Sequence, residues 1–157
     1  MKRIAPYIIL TLLFTAASLQ AQQKEDIFDR QAIEEKMLRV AEWQLANPKH
    51  DLFDWTNGAF YAGVFAAYET TGSTKIWDAL VEMGEKNKWG PGRRFDHADD
   101  IVINQTYLYM YRITKDKKML QPTIDVVEKI RADGAKGPEV RRHGIIWWWC
   151  DALFMAP

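Results

Sequence analysis

The sequence is poor in cysteine, has no excess of either charge, and has very few histidines. A single cysteine, Cys150, excludes an internal disulfide framework and a cysteine-based zinc cluster. Lys+Arg and Asp+Glu each number 21, so the chain lacks the basic footprint of a nucleic-acid binder, and no nucleic-acid partner is expected. The three histidines, His50, His97 and His143, show neither HxxxH nor HxH spacing, so no metal site is expected. Sustained period-two alternation is also missing, which argues against strands. What is abundant is aromatic: seven Trp, six Tyr and seven Phe. Such faces suit a carbohydrate groove or a helix-packed core. With 48% apolar and 27% charged residues the composition is globular.

The first residues read as a targeting signal. Met1-Lys2-Arg3 is positive, Ile4 to Ala17 is mostly apolar, and the small and amide residues Ala16 to Gln23 follow. The apolar run is short for a membrane span, so a cleaved signal peptide over residues 1–21 is expected, with no stable membrane anchor afterwards. The mature protein is then exported, periplasmic or secreted. Its domain starts at residue 22.

The rest reads as helices, because apolar residues recur at three- and four-residue steps. The spacing predicts helices over about 28–46, 57–71, 73–88, 99–114 and 116–132. A loop is expected around Gly137-Pro138 and Gly144, and a sixth helix near Trp148. An internal repeat of 43 residues aligns Asn57 with Asp100, both read as helix caps, Tyr68 with Tyr111, and Glu85-Lys86 with Glu128-Lys129. Each unit is a helical hairpin, and stacked hairpins build a solenoid or close into a ring. The segment Trp147 to Pro157 is densely apolar, whereas a terminal repeat wants a polar outer face. The chain is therefore expected to be the N-terminal part of a larger protein.

Three polar and aromatic loops precede alternate helices: Asp51 to Asn57, Arg93 to Asp100, and Arg141 to Asp151. If alternate helices form an inner ring, these loops open at one end. Acids, His, Arg and Trp would then meet in one cleft suited to a sugar. Asp151 lies between Trp149-Cys150 and Ala152-Leu153-Phe154-Met155. Apolar flanks would keep its carboxyl protonated and make it a general acid, while the plainer reading is a helix N-cap. Asp99 and Asp100 are caps or a second acid partner. His97 is a hydrogen-bond partner or a cleft residue. Arg93-Arg94 and Arg141-Arg142 are solvated ion-pair formers or binders of a uronate carboxylate. Trp147, Trp148 and Trp149 cannot share one helix face, so one packs inside and another is free to stack on a sugar.

The segment Trp148-Trp149-Cys150-Asp151-Ala152-Leu153-Phe154-Met155-Ala156-Pro157 resembles the W-x-D-x-L-[FY]-M-x-P segment of glycoside hydrolase family 105, the unsaturated rhamnogalacturonyl hydrolases. Family 88, the unsaturated glucuronyl hydrolases, is a more distant relative. His97-Ala98-Asp99-Asp100 with Gln105-Thr106-Tyr107-Leu108 is similar to the region of that family's second active-site aspartate. Asn57 to Gly63 resembles its first inner helix.

The resemblance implies an all-α fold of helical hairpins from an (α/α)6 barrel, here under half of it, with the remaining C-terminal half expected as partner. It implies hydration of a 4,5-unsaturated uronic acid at the non-reducing end of lyase-generated pectin oligosaccharides, without metal or organic cofactor. It assigns Asp151 as general acid/base and Asp99 or Asp100 as its partner, Asp100 sitting better as a cap. His97, Trp147 and Trp148 are weaker substrate-binding candidates. Two rival readings stay open: another (α/α)6 glycosidase, and a helical glycan-binding module without chemistry.

Overall fold

A computed structural model describes residues 28–133 and 136–156. The expected signal peptide lies outside the described residues. All regular structure among the described residues is helical. The chain divides after Ile33 into two units. In the first, Asp29 Oδ1 accepts a bond from Ala32 N (3.0 Å) at the start of helix α1, Arg30–Ala46.

From Glu34 onward the repeat is visible in the helices themselves. Helix α2 is Trp55–Thr71, and α3 is Thr74–Lys86. Their counterparts are a nearly continuous pair, α4 (Ala98–Ile101) and α5 (Ile103–Thr114), followed by a 3-10 turn, Lys117–Met119, and α6 (Gln121–Asp133). The span 98–114 is 55–71 displaced by 43 residues. The turns match as well. Gly72 and Lys115 both end their helices in the left-handed region (φ 64° and 59°), and Ser73 and Asp116 both cap the next element. Left-handed backbone is easy for Gly72 and costs Lys115 energy, so the hairpin geometry overrides local preference there.

The caps differ from expectation. Asp54, not Asn57, caps α2, and His97, not Asp100, caps α4. Asp54 Oδ1 accepts from Thr56 N (2.9 Å) and from Thr56 Oγ1 (2.5 Å), and these bonds hold its carboxyl below the usual carboxylate range. Asn57 and Asp100 sit one turn later and reach back to tie down the loop before their helix. Asn57 Nδ2 donates to the carbonyls of His50 (3.0 Å) and Asp51 (2.6 Å). Asp100 accepts from Arg94.

Two further expectations are corrected. The stretch around Gly137 to Gly144 is not a plain loop. It forms a short helix α7, Pro138–His143, because Pro suits a first helical turn and Gly144 supplies a left-handed stop (φ 79°). The last helix, α8, is only Ala152–Met155, starting after the three tryptophans. Trp147 itself is left-handed (φ 55°), which breaks any helix through it.

Packing follows the hairpins. Helix α2 lies against α3 and α5, while α4 packs against α8. The main core joins Val64 and Phe65 of α2, Ile76, Leu80 and Met83 of α3, and Tyr107 and Met110 of α5. Gly58 allows the close approach of α2, since a Cβ there would run into Val102. Tyr107 is fully buried. Its hydroxyl accepts from Asn87 Nδ2 (2.9 Å) and donates to Gly90 O (3.3 Å), and burial pushes it above the ordinary tyrosine value. This pins the end of α3 and the Gly90-Pro91-Gly92 segment, which leads into the candidate site. A second, smaller cluster joins Ala98, Ile101 and Val102 with Val126, Ala152, Met155 and Ala156.

Candidate active site

Two depressions meet at the start of α4. The larger is a groove of about 820 Å3 lined by the loop before α2 (Asp51 to Trp55), by Lys86 and Asn87, and by Arg93, Arg94, Asp99 and Asp100. The smaller is a crevice of about 10 Å3, the scale of a single water molecule. Its walls are Asp96 to Asp99 on one side and Trp147 to Trp149, Asp151 and Ala152 on the other. Asp99 lines both. The loops before α2 and α4 do share one groove, and the segment before α8 joins it through Asp99.

The adjacent carboxylates do different things. Asp100 is buried and fully engaged by Arg94. Its Oδ2 accepts from the Arg94 backbone N (2.8 Å), and its Oδ1 accepts from Arg94 Nε (2.8 Å) and Nη2 (2.5 Å). Gly92 N donates to Asp100 O (2.8 Å), and the missing side chain at Gly92 leaves the space that the Asp100 carboxylate occupies. This aspartate closes the Gly92-Arg93-Arg94 loop onto the helix. Asp99 is partly exposed, with Arg94 Nη2 at 3.8 Å from its Oδ2. It faces the crevice, as Asp100 does not.

His97 lies between them in function. Its Nδ1 accepts from Asp99 N (3.3 Å). The same nitrogen lies 3.5 Å from Asp99 Oδ2.

Asp151 stands at the start of α8, where its carbonyl accepts from Phe154 N (2.9 Å) and Met155 N (3.0 Å). Its carboxylate makes no cap bond. The residue lines the crevice, yet it is exposed. The apolar seclusion expected from its flanks is absent here, because Leu153 (85% exposed) and Phe154 (50%) turn to solvent and do not cover it. Gln105 Nε2 donates to Phe154 O and ties this segment to α5.

The tryptophans divide as expected. Trp147 is half-buried against the second cluster. Trp148 and Trp149 are exposed, with ring centroids 4.5 Å apart, and Trp148 also stacks on His143 at 4.1 Å. Arg141 and Arg142 lie on α7 and line neither depression.

Sequence reasoning missed Asp96, which is buried and lines the crevice. Phe53, Trp55 and Arg93, from two of the loops expected to open at one end, do line the groove. Among the described residues no cluster of three His, Cys, Asp or Glu is placed to hold a metal ion.

The model of Glycosyl Hydrolase Family 88 matches residues 29–157. A Formosa agariphila protein named "Unsaturated 3S-rhamnoglycuronyl hydrolase" is 34% identical over 160 residues, covering 95% of this chain and 42% of the relative. A protein of the same name from Alteromonas sp. (strain LOR) is 28% identical over 121 residues, covering 66% of this chain and 29% of that protein. The chain thus spans under half the length of the curated relatives it matches.

Proposed function

The chain belongs to Glycosyl Hydrolase Family 88, and from that premise we propose that the protein removes a 4,5-unsaturated uronic acid from the end of a lyase-generated oligosaccharide by hydrating its double bond. Asp99 and Asp151 lining one crevice beside Trp147 and Trp148 is the observation that carries this reading. The names of both relatives contain rhamnose and a glycuronic acid, which supports rhamnose as the linked sugar.

In this reading Asp151, whose carboxyl has no cap bond to make, gives its proton to C4 of the uronate. The C4=C5 electron pair forms the new C–H bond, and positive charge develops at C5 and the ring oxygen. Water adds to C5, and its proton passes to a carboxylate of the pair. The hemiketal so formed opens to a ketone by breaking the C5–O5 bond. The hemiacetal left at C1 then collapses to an aldehyde and releases the second sugar. Asp99 orients the water or the substrate. Asp100 is the weaker choice for that role because Arg94 already occupies both its oxygens. His97 steadies Asp99 through its backbone, and Trp148 offers a face to the sugar. Export of the protein, periplasmic or secreted, belongs to the same proposal and is supported by the leader-like first residues.

The test is loss of the ultraviolet absorbance of the unsaturated uronate when the full-length protein meets unsaturated uronyl-rhamnose disaccharides. Asp151→Asn is expected to lower the rate by about 10²–10⁴-fold, the span of a positioned general acid. Asp99→Asn is expected to lower kcat more than Asp100→Asn does at equal folded content by circular dichroism. Absence of any absorbance loss with the unaltered protein, on rhamnogalacturonyl and rhamnoglucuronyl substrates alike, would overturn the proposal. Binding without turnover would then favour the glycan-binding alternative.

A further inference from the structure

One buried donor on the crevice walls is left over. The Trp147 indole nitrogen is buried and meets no acceptor among the described residues. A donor shut away from solvent without an acceptor is costly, so buried donors find partners. The ring body is accounted for. It packs against the second cluster, whose side chains are apolar and accept nothing. The backbone at Trp147 is left-handed (φ 55°), an expensive conformation for a residue with a side chain, and one that lasts only where its surroundings fix it.

The crevice limits what can meet this N–H. At about 10 Å3 it has room for one water molecule and for no sugar ring. An indole N–H only donates, so the occupant must accept, which excludes a cation. The carboxyl groups of Asp96, Asp99 and Asp151 on the same walls repel an anion. A water meets both demands, because it accepts from the indole and donates to a carboxylate. Among the three aspartates, Asp99 is partly exposed and Asp151 exposed, whereas Asp96 is 1% exposed. Asp96 is thus the wall carboxylate shielded from bulk solvent as the indole nitrogen is, and a carboxylate takes several donors at once. Its Oδ2 lies where a side chain at Gly137 would stand, which places it at the junction of the loop before α4 with the start of α7.

We propose that the crevice is a one-water site, in which a resident water accepts from the Trp147 indole N–H and donates to the Asp96 carboxylate. The bridge ties the segment before α8 to the loop before α4, beside the packing of α8 on α4 and the Gln105–Phe154 bond. Trp147 is then a positioning residue for the segment that carries Asp151, and a sugar meets Asp151 from its exposed side. The water site stands without the hydration reading, and only its effect on turnover rests on that reading.

The direct experiment is magnetisation transfer from water to the isotope-labelled indole protons of the full-length protein. The indole signal lost in Trp147→Phe is expected to show a cross-peak from a water that tumbles with the protein. Its sign is expected to invert in the rotating frame, which separates it from proton exchange. A crystal structure of the full-length protein is expected to place that water within about 3.2 Å of both Trp147 Nε1 and an Asp96 oxygen. A protein acceptor on Nε1 in its place, or an indole proton without the cross-peak, would sink the proposal.

Turnover of an unsaturated uronyl-rhamnose disaccharide gives the second test. Trp147→Phe keeps a ring against the cluster and removes the N–H. It is expected to lower kcat about three- to tenfold with KM within about twofold. Asp96→Ala is expected to lower it at least as much, and Asp96→Asn, which keeps an oxygen acceptor, to fall between. Because the two residues share one water, the double variant Trp147→Phe/Asp96→Ala is expected to lose no more than the worse single variant. Losses that multiply, or a raised KM with unchanged kcat in Trp147→Phe, count against the bridge, the latter in favour of stacking on the sugar. If the unaltered protein hydrates nothing yet shows the water cross-peak, the hydration reading fails and the water site stands. If it hydrates without that cross-peak, the reverse holds. Matched circular dichroism identifies variants that fail to fold, and the water readouts on the unaltered protein then decide.

Discussion

The half of the chain built on α2, α3 and α5 and the half that ends in α8 are packed on different principles. In the first, Ile76, Leu80, Tyr107 and Met110 are wholly buried, and the helices run 17, 13 and 12 residues. In the second, the shared cluster is mostly small or medium residues, such as Ala98, Val102, Ala152 and Ala156. Its closing helices have only six and four residues. Helices that short cannot hold themselves together, because nucleation costs more than so few bonds return. The position of Asp151 therefore depends on α8 lying against α4 and on the Gln105–Phe154 bond, while Asp99 sits on α4, which shares the second cluster but runs almost directly into the long α5. The candidate proton donor thus stands on a four-residue helix, and its partner carboxylate on a segment continued by α5.

Substitutions can break or sharpen that contrast. The largest effect is expected at Leu80→Ala, which opens a cavity among Ile76, Tyr107 and their neighbours. It should cost about 2–5 kcal/mol, read as a shifted urea midpoint. Arg94→Ala probes the join between the halves. It leaves the Asp100 carboxylate buried beside Gly92 without its guanidinium. Breaking a buried pair costs several kcal/mol, but Arg94 is half exposed, so a loss of about 1–2 kcal/mol is expected, measured by thermal melting. The smallest effect is expected at Leu153→Ser. Its side chain is 85% exposed, and the change should stay within about 0.5 kcal/mol of the unaltered protein. A Leu153→Ser loss equal to that of Leu80→Ala would show that the α8 region is packed as tightly as the first half, and would end the comparison.

Much of the fold was legible because the repeat writes itself twice. Period 3.6 located the long helices, and Gly72 and Ser73 marked one turn clearly enough to find its copy at Lys115 and Asp116. The caps were misjudged because several polar residues stand before each helix, and only backbone direction decides which one reaches the free amides. Asp54 and His97 do so, while Asn57 and Asp100 turn back to the loop. Short helices were the other weak point, since α7 and α8 hold too few residues to show a period.

The site was legible as a set of residue types and not as an arrangement. Asp99, Asp151, His97 and the tryptophans were all candidates from their neighbours in sequence, and they do line one crevice. Adjacency made Asp99 and Asp100 equivalent in sequence. In space, one residue of helical rotation sends Asp100 inward to Arg94 and Asp99 toward Asp151.

Taken alone, the amino-acid order determined that this chain is helical, that it repeats every 43 residues, and that acids and aromatics gather before alternate helices. These follow from local periodicity and composition, which no packing is needed to read. Only the tertiary structure decided which carboxylate is a clamp and which lines the crevice, and that Asp151 is exposed despite apolar flanks. Each of those depends on which way a side chain points and on what arrives from distant parts of the chain, and sequence spacing contains neither.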